Sequence, residues 1–509
     1  MKNLYINLKK DYKNYLNLLI LYSISQLWII FLGNSIYWDD WHFHNIGNEN
    51  IYNTSIMLGA PIRGFIVNIF FPFGFIFMRF ITFILFFTNS ILLDKILKRI
   101  KIINENNRFI ICLLFLITPL YLARITFAVF PYTLCTFFFF FAWFILPKNK
   151  LFSLLLFFIS FATNSLLVFY TLPILEIFLN NYKFKIKSIM RFFKNNLFFL
   201  ILPFVYYSIK FSFFRPYGIF ENYNETFNLK FLFFIPLYQI SDALNFKSSL
   251  ILFIPLAVLI FTFIFYKYIP IKYSLNDQKY SKEIFLLGIL SLFLGLFPYW
   301  ILGHTPQFND IWNTRHQLLM PLGIALISSS ILSRFEIGSR RVFLSLIVTI
   351  SILINQTNYF DLLNDHKKQL NIITQLSNFP LNENTDILIF EDATIEDNAF
   401  NRKYRFYEWQ GITNRAYPKN KKIIGIGENH LVQLKNIFES NQQNYWGFKI
   451  KTLPEKINIA NFKILYKESN PSELTKLKKF SKILFNSGNL KIPKIELIDY
   501  NQISKKDLT

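Results

Sequence analysis

The chain has 509 residues, of which 53% are hydrophobic, 19% aromatic and only 17% charged. Its mean hydropathy is +0.32. So much Phe, Ile and Leu excludes a soluble surface and intrinsic disorder, and two cysteines exclude a disulfide framework. A formal net charge of +23 leaves three readings open: nucleic acid, an anionic membrane surface, or membrane topology.

Taken in chain order, the apolar runs predict eleven membrane helices, over 16–33, 72–93, 109–124, 131–146, 151–163, 165–180, 197–214, 249–268, 284–302, 318–332 and 342–356. The only break between the runs over 151–163 and 165–180 is Thr163-Asn164-Ser165. With the N-terminus placed in the cytoplasm, the inside segments carry 22 Lys and Arg. The outside loops carry six: Arg63, Arg124, Arg215, Lys230, Lys247 and Arg315. That asymmetry is the positive-inside signature, and merging the two runs would destroy it. The first apolar run follows a long polar lead without a small-residue cleavage site, so it reads as a retained anchor.

From about residue 357 the composition turns polar. Strand-like pieces over Thr385–Phe390, Lys422–Ile426, Lys463–Tyr466 and Lys494–Leu497 alternate with helical ones over Phe360–Leu376, Arg402–Ala416 and Ser472–Phe485. The expected architecture is an all-α polytopic membrane domain over 1–356, followed by a small extracytoplasmic α/β domain over 357–509. The polar tail holds 23 basic and 17 acidic residues, a balance that gives nucleic-acid binding no support. Gly425-Ile-Gly427 is too short to be a phosphate loop.

The sharpest local feature follows the first helix: Tyr37-Trp38-Asp39-Asp40-Trp41-His42-Phe43-His44. Trp and Tyr suit a membrane interface, but two adjacent carboxylates beside a low-dielectric slab cost desolvation and repulsion unless they have a task. A carboxylate there suits general-base chemistry on an incoming hydroxyl. On an extended segment Asp40, His42 and His44 would share one face, a set compatible with a divalent cation such as Mg or Mn. A second outside cluster comprises His304, Asp310, Arg315 and His316, in which Arg315 has the geometry to fork onto phosphate oxygens. Arg63 and Arg124 are further outside arginines. The segment from Thr226 to Phe246 reads as an interfacial helix bent at Pro236. All six histidines fall on the expected outside face.

These features resemble the GT-C superfamily of glycosyltransferases. The likeness lies in a cytoplasmic N-terminus, one helix, an outside loop opening with the acidic pair Asp39-Asp40, about eleven helices and an extracytoplasmic C-terminal domain. The resemblance implies inverting transfer of a sugar from a polyprenyl-phosphate donor to a glycan, lipid or protein acceptor, at the outer face of a bacterial cytoplasmic (inner) membrane. It makes Asp39 the base and Asp40 its assistant or a metal ligand. Arg315, His316, Arg124 and Arg63 would meet the lipid phosphate, and Tyr37, Trp41, His42, His304 and Asp310 would line the substrate. The sequence departs from the protein O-mannosyltransferase pattern, which has Asp-Glu at the pair. Three rival readings are a lipid-linked glycan flippase or exporter, an O-antigen ligase or polymerase, and a membrane acyltransferase. Helix interiors nearly devoid of charge and the lack of a repeat argue against transport.

Overall fold

A computed structural model describes residues 2–46, 48–221, 230–232, 234–236, 239, 262–266, 269–270, 280–308, 312–419, 423–430, 444–445, 448–449, 456–465 and 494–504. The chain forms two compact units. One comprises Met1–Phe31 and Tyr52–Gln356, the other Leu32–Ile51 and Thr357–Thr509.

The helices labelled, in chain order, are α1 (Lys2–Gln26), α2 (Asp39–Ile46), α3 (Pro61–Phe70), α4 (Gly74–Leu97), α5 (Glu105–Ile117), α6 (Phe130–Ile145), α7 (Lys150–Ser160), α8 (Ser165–Phe169), α9 (Thr171–Asn181), α10 (Ile186–Asn195), α11 (Leu197–Phe213), α12 (Ser281–Trp300), α13 (Met320–Leu332), α14 (Ile337–Ser377) and α15 (Phe406–Ala416); Trp28–Phe31 and Asn48–Met57 are helical as well. Five stretches are long and apolar enough to cross a membrane: Tyr12–Phe31, Pro61–Leu97, Phe127–Ile145, Ser281–Trp300 and Ile337–Ser377. A sixth arises if α10 and α11, bent by 59° at their junction, count as one span. The described residues therefore give a polytopic helical membrane unit with fewer full-length spans than the eleven expected. The run over 249–268, the segment from Thr226 to Phe246 and the piece over Ser472–Phe485 lie wholly or mostly outside the described residues.

Local chemistry explains where the expected spans shorten. The run expected over 109–124 ends as a helix at Ile117, because Pro119 drives Thr118 into extended backbone (ψ 132°). The run expected over 151–163 stops at Ser160, and helix resumes at Ser165, so the break at Thr163-Asn164-Ser165 is real. Small residues set the tightest helix pair. A Cβ on Gly323 of α13 would stand 2.7 Å from the Leu292 backbone nitrogen of α12, and one on Gly288 would stand 2.9 Å from the Ile327 nitrogen. Backbones approach this closely only where side chains are absent, as membrane helix pairs commonly arrange.

The change of composition near residue 357 is not a helix end. α14 continues unbroken to Ser377, passing from an apolar stretch into one whose buried positions are Asn358, Leu362, Asp365, Lys368, Gln369, Ile372 and Leu376. That spacing is one face of a helix. The second unit carries a four-stranded mixed sheet of β1 (Ile387–Asp392), β2 (Ile424–Gly427), β3 (Lys456–Leu465) and β4 (Lys494–Ser504). Its order is β2-β1-β3-β4; β1 is parallel to both neighbours, and β3 and β4 are antiparallel. The register slips between Asn461 and Phe462, where the pairing skips Ile498 of the edge strand, a bulge of the kind that bends sheet edges. Gly425 and Gly427 serve packing. Added Cβ atoms would meet the Thr413 hydroxyl at 1.9 Å and the Trp409 ring nitrogen at 2.7 Å, so these glycines let α15 lie directly on β2. Trp409 in turn stacks on Phe390 of β1 at 4.6 Å.

Candidate functional sites

In the second unit the acidic pair opens a helix. Asp39 and Asp40 occupy the first turn of α2, where the partial positive charge of the helix N-terminus favours carboxylates. The turn that starts it is strained: Trp38 has φ 47°, a left-handed conformation that a bulky side chain rarely adopts. It is held there from three sides. The Trp38 N–H donates to Glu408 Oε1 at 3.3 Å, the Arg402 guanidinium lies 4.7 Å over its ring, and Tyr37 donates its hydroxyl hydrogen to the Leu362 carbonyl at 2.9 Å.

The two aspartates differ in access. Asp40 is fully buried. Asp39 is half-buried and accepts a hydrogen bond from the Tyr407 hydroxyl at 2.7 Å on Oδ1; its other oxygen has no hydrogen-bond partner among the described residues. Burial, with Asp39 alongside, pushes the Tyr407 phenol well above its ordinary value, so Tyr407 stays a neutral donor. Tyr37 and Trp41 are interior residues, at 0% and 1% exposure. Trp41 lies against Gly411, where a Cβ would come within 2.2 Å of the indole, and Arg415 covers its ring at 5.2 Å.

The expected cation set is not built. Because the segment is helical, successive residues turn by about 100°. Asp40 and His44, four apart, share a face, whereas His42 points roughly the opposite way. His42 is buried and His44 exposed, with His44 Nε2 accepting from Arg415 Nε at 3.4 Å. Among the described residues no three His, Cys, Asp or Glu side chains form a ligand group.

Behind α2 lies a charged network that the sequence did not announce. Arg402 reaches Glu408 with both terminal nitrogens, at 2.6 and 2.7 Å, and Asp365 at 3.5 Å. Tyr404 donates to Asp365. Glu408 also accepts the Arg405 N–H at 2.8 Å, which caps α15. Lys368 donates to both Asp392 oxygens (2.9 and 2.8 Å), to the Thr394 carbonyl and to Asn398 Oδ1. The available signal was Tyr407-Glu408-Trp409, a second carboxylate between aromatics.

In the first unit, two turns that carry basic residues meet. The turn Leu122–Ile125 holds Arg124, and Asn313–Gln317 holds Arg315 and His316. Ala123 N–H donates to Thr314 Oγ1 at 2.8 Å, and Tyr121 N–H to Gln317 Oε1 at 3.2 Å. Gln317 is fixed by the Gln307 carbonyl at 2.8 Å. Arg124 is 3% exposed, stacked 4.6 Å over Phe86, and its Nε and Nη2 have no hydrogen-bond partner among the described residues. Arg315 lies 4.3 Å over Trp312, and its Nε donates to His316 Nε2 at 3.2 Å. His316 stacks against His304 at 5.0 Å and Tyr299 at 4.9 Å.

Burial, then the nearby Arg315 and His304, hold His316 well below the ordinary histidine value. His316 is therefore placed as a neutral acceptor that orients Arg315. Arg63 sits over Tyr132 at 4.5 Å. Asp310 lies outside the described residues.

No family model, curated protein or solved structure matches the chain.

Proposed function

We propose that the protein is a membrane transferase that moves a sugar from a polyprenyl-phosphate donor to an acceptor hydroxyl with inversion. One observation carries the reading: Arg124 is buried, and two of its nitrogens have no hydrogen-bond partner among the described residues, in a turn locked to that of Arg315. A buried guanidinium left unpaired is costly, and an anionic substrate group would supply a partner. A lipid-linked phosphate suits an apolar helical protein. Each unit is read by itself. In the second, Asp39 is suited to take the proton of an acceptor hydroxyl as its oxygen attacks the anomeric carbon; in the first, Arg124 and Arg315 are suited to meet the charge released when the bond to the lipid phosphate breaks. Tyr407 positions Asp39.

The test is transfer of label from a polyprenyl-phosphate sugar in membranes. Asp39→Asn is expected to lower the rate by about 10²–10⁴, and Arg124→Gln to raise the KM for the donor. Wild-type transfer by a normally folded Asp39→Asn protein would remove the base assignment. An unchanged donor KM in Arg124→Gln would remove the phosphate assignment.

A further inference from the structure

Between the expected runs over 165–180 and 197–214 lies a segment with Lys183, Lys185, Lys187, Arg191 and Lys194. Within it, the helix α10 is turned 59° from α11, and its residues sort by angle into three sectors. Phe192 is the anchor: its ring lies 5.2 Å from both Phe178 and Tyr182. The buried Asn196 fixes the bend by donating to the Phe192 carbonyl at 3.0 Å and the Tyr182 hydroxyl at 3.3 Å. The second sector is apolar and uncovered, with Ile186, Met190 and Phe193 exposed by 79%, 67% and 54%. The third is basic and also exposed: Lys187, Arg191 and Lys194. Between Glu176 and Glu221 the sequence has no acidic residue, so no neighbour along the chain offsets this charge.

We infer that α10 is an interfacial helix that binds the headgroups of anionic phospholipids. Its apolar stripe runs on into Leu197, Phe198, Ile201 and Phe204, the exposed side of the apolar helix α11, which is where acyl chains lie against a membrane protein. The basic stripe sits roughly 90° around the helix from the apolar one. Seating the apolar stripe among acyl chains therefore places Lys187, Arg191 and Lys194 at headgroup depth, where lysine and arginine stems extend toward phosphate. The bend held by Asn196 and Phe192 keeps α10 out of line with α11.

The experiment titrates phosphatidylglycerol, and separately phosphatidylcholine, into the full-length protein in neutral detergent while following Tm. Each basic side chain near an anionic surface contributes about a fivefold preference, so three contribute on the order of a hundredfold. Wild-type protein is expected to gain saturable stability from phosphatidylglycerol alone, and to lose the gain at high salt. In K187Q/R191Q/K194Q, which leaves the Phe192 anchor intact, the half-saturating concentration should rise at least about tenfold, with Tm in lipid-free detergent unchanged. K187R/K194R, which keeps the charge, should titrate like wild type. Equal stabilisation by phosphatidylcholine, or a triple-Gln midpoint equal to wild type, overturns the inference. So does a salt-insensitive wild-type gain, which settles the matter even if the triple variant fails to fold.

Discussion

Tyr407 donates its phenolic hydrogen to Asp39 at 2.7 Å across 368 positions of sequence. The bond fixes one oxygen of the more accessible aspartate, and the other has no hydrogen-bond partner among the described residues. A hydrogen bond to a charged acceptor contributes about 1.5–3 kcal/mol, so Tyr407→Phe should lower Tm by several degrees. If Tyr407 positions a base, the same variant should reduce kcat with little change in donor KM, and Asp39→Asn should reduce kcat much further. A Tyr407→Phe protein with lower Tm and unaltered kcat would make the bond purely structural. Transfer kinetics and thermal melts in the same detergent separate the two.

Gly411 and Trp41 form the tightest contact between α2 and α15. Gly411→Ala would force its Cβ into the indole edge, and overpacking of this kind costs about 1–3 kcal/mol. Trp41→Leu makes room, so the double variant should recover part of that loss. A coupling energy of about 0.5 kcal/mol or more in the double-mutant cycle is expected for residues in contact. Strict additivity of the two Tm changes would show that α2 does not sit on α15 as described.

The strand pieces at Thr385–Phe390 and Lys422–Ile426 were legible because β-branched runs between turn residues leave a period that needs no tertiary information. The last span was legible only as hydropathy, and hydropathy marks where lipid ends rather than where a helix ends. Hence α14 overruns residue 357 by nearly six turns, at about 3.6 residues each. The Asp39-Asp40 pair was visible as an anomaly, but its meaning was not. Helix geometry, which scatters Asp40, His42 and His44, and the enclosure of Tyr37 and Trp41 depend on Glu408, Arg402 and Gly411, which lie more than 350 positions away. The meeting of the Arg124 and Arg315 turns was equally hidden, since nothing in either stretch specifies the Thr314 and Gln317 bonds that join them.

Asp392 links the second unit to acid stability. Burial alone would raise its carboxyl, but the Lys368 ammonium at 2.8 Å and hydrogen bonds from the Thr394 N–H and hydroxyl hold it below the usual carboxylate value. A folded-state pKa below the unfolded one, about 3.9, gives stability that is present above that value. The stability is lost as pH falls through the folded pKa. Tm should therefore drop with acid below about pH 4 in wild type. Asp392→Asn should start lower, because it strands a buried ammonium at a cost of about 3–5 kcal/mol, and its Tm should depend less on pH in that window. Parallel wild-type and variant acid limbs would assign the acid sensitivity elsewhere.

Arg124 offers the sharpest separation of structure from function. A buried charge that serves the fold is destabilising to remove, whereas one kept for a ligand is a liability to the empty protein. With Nε and Nη2 unsatisfied among the described residues, Arg124→Met should leave Tm unchanged or raise it, since exchanging buried charge for apolar volume is often neutral or stabilising by about 1–4 kcal/mol. The same change should weaken donor binding by roughly 10- to 100-fold, the value of a charge-assisted hydrogen bond to phosphate. Arg315→Met tests the neighbouring turn. Because Arg315 is only half-buried and already bonded to His316, its loss should affect donor KM with a smaller change in Tm. A fall of several degrees in Tm for Arg124→Met together with an unaltered donor KM would make Arg124 a structural residue, and the phosphate site would have to lie elsewhere.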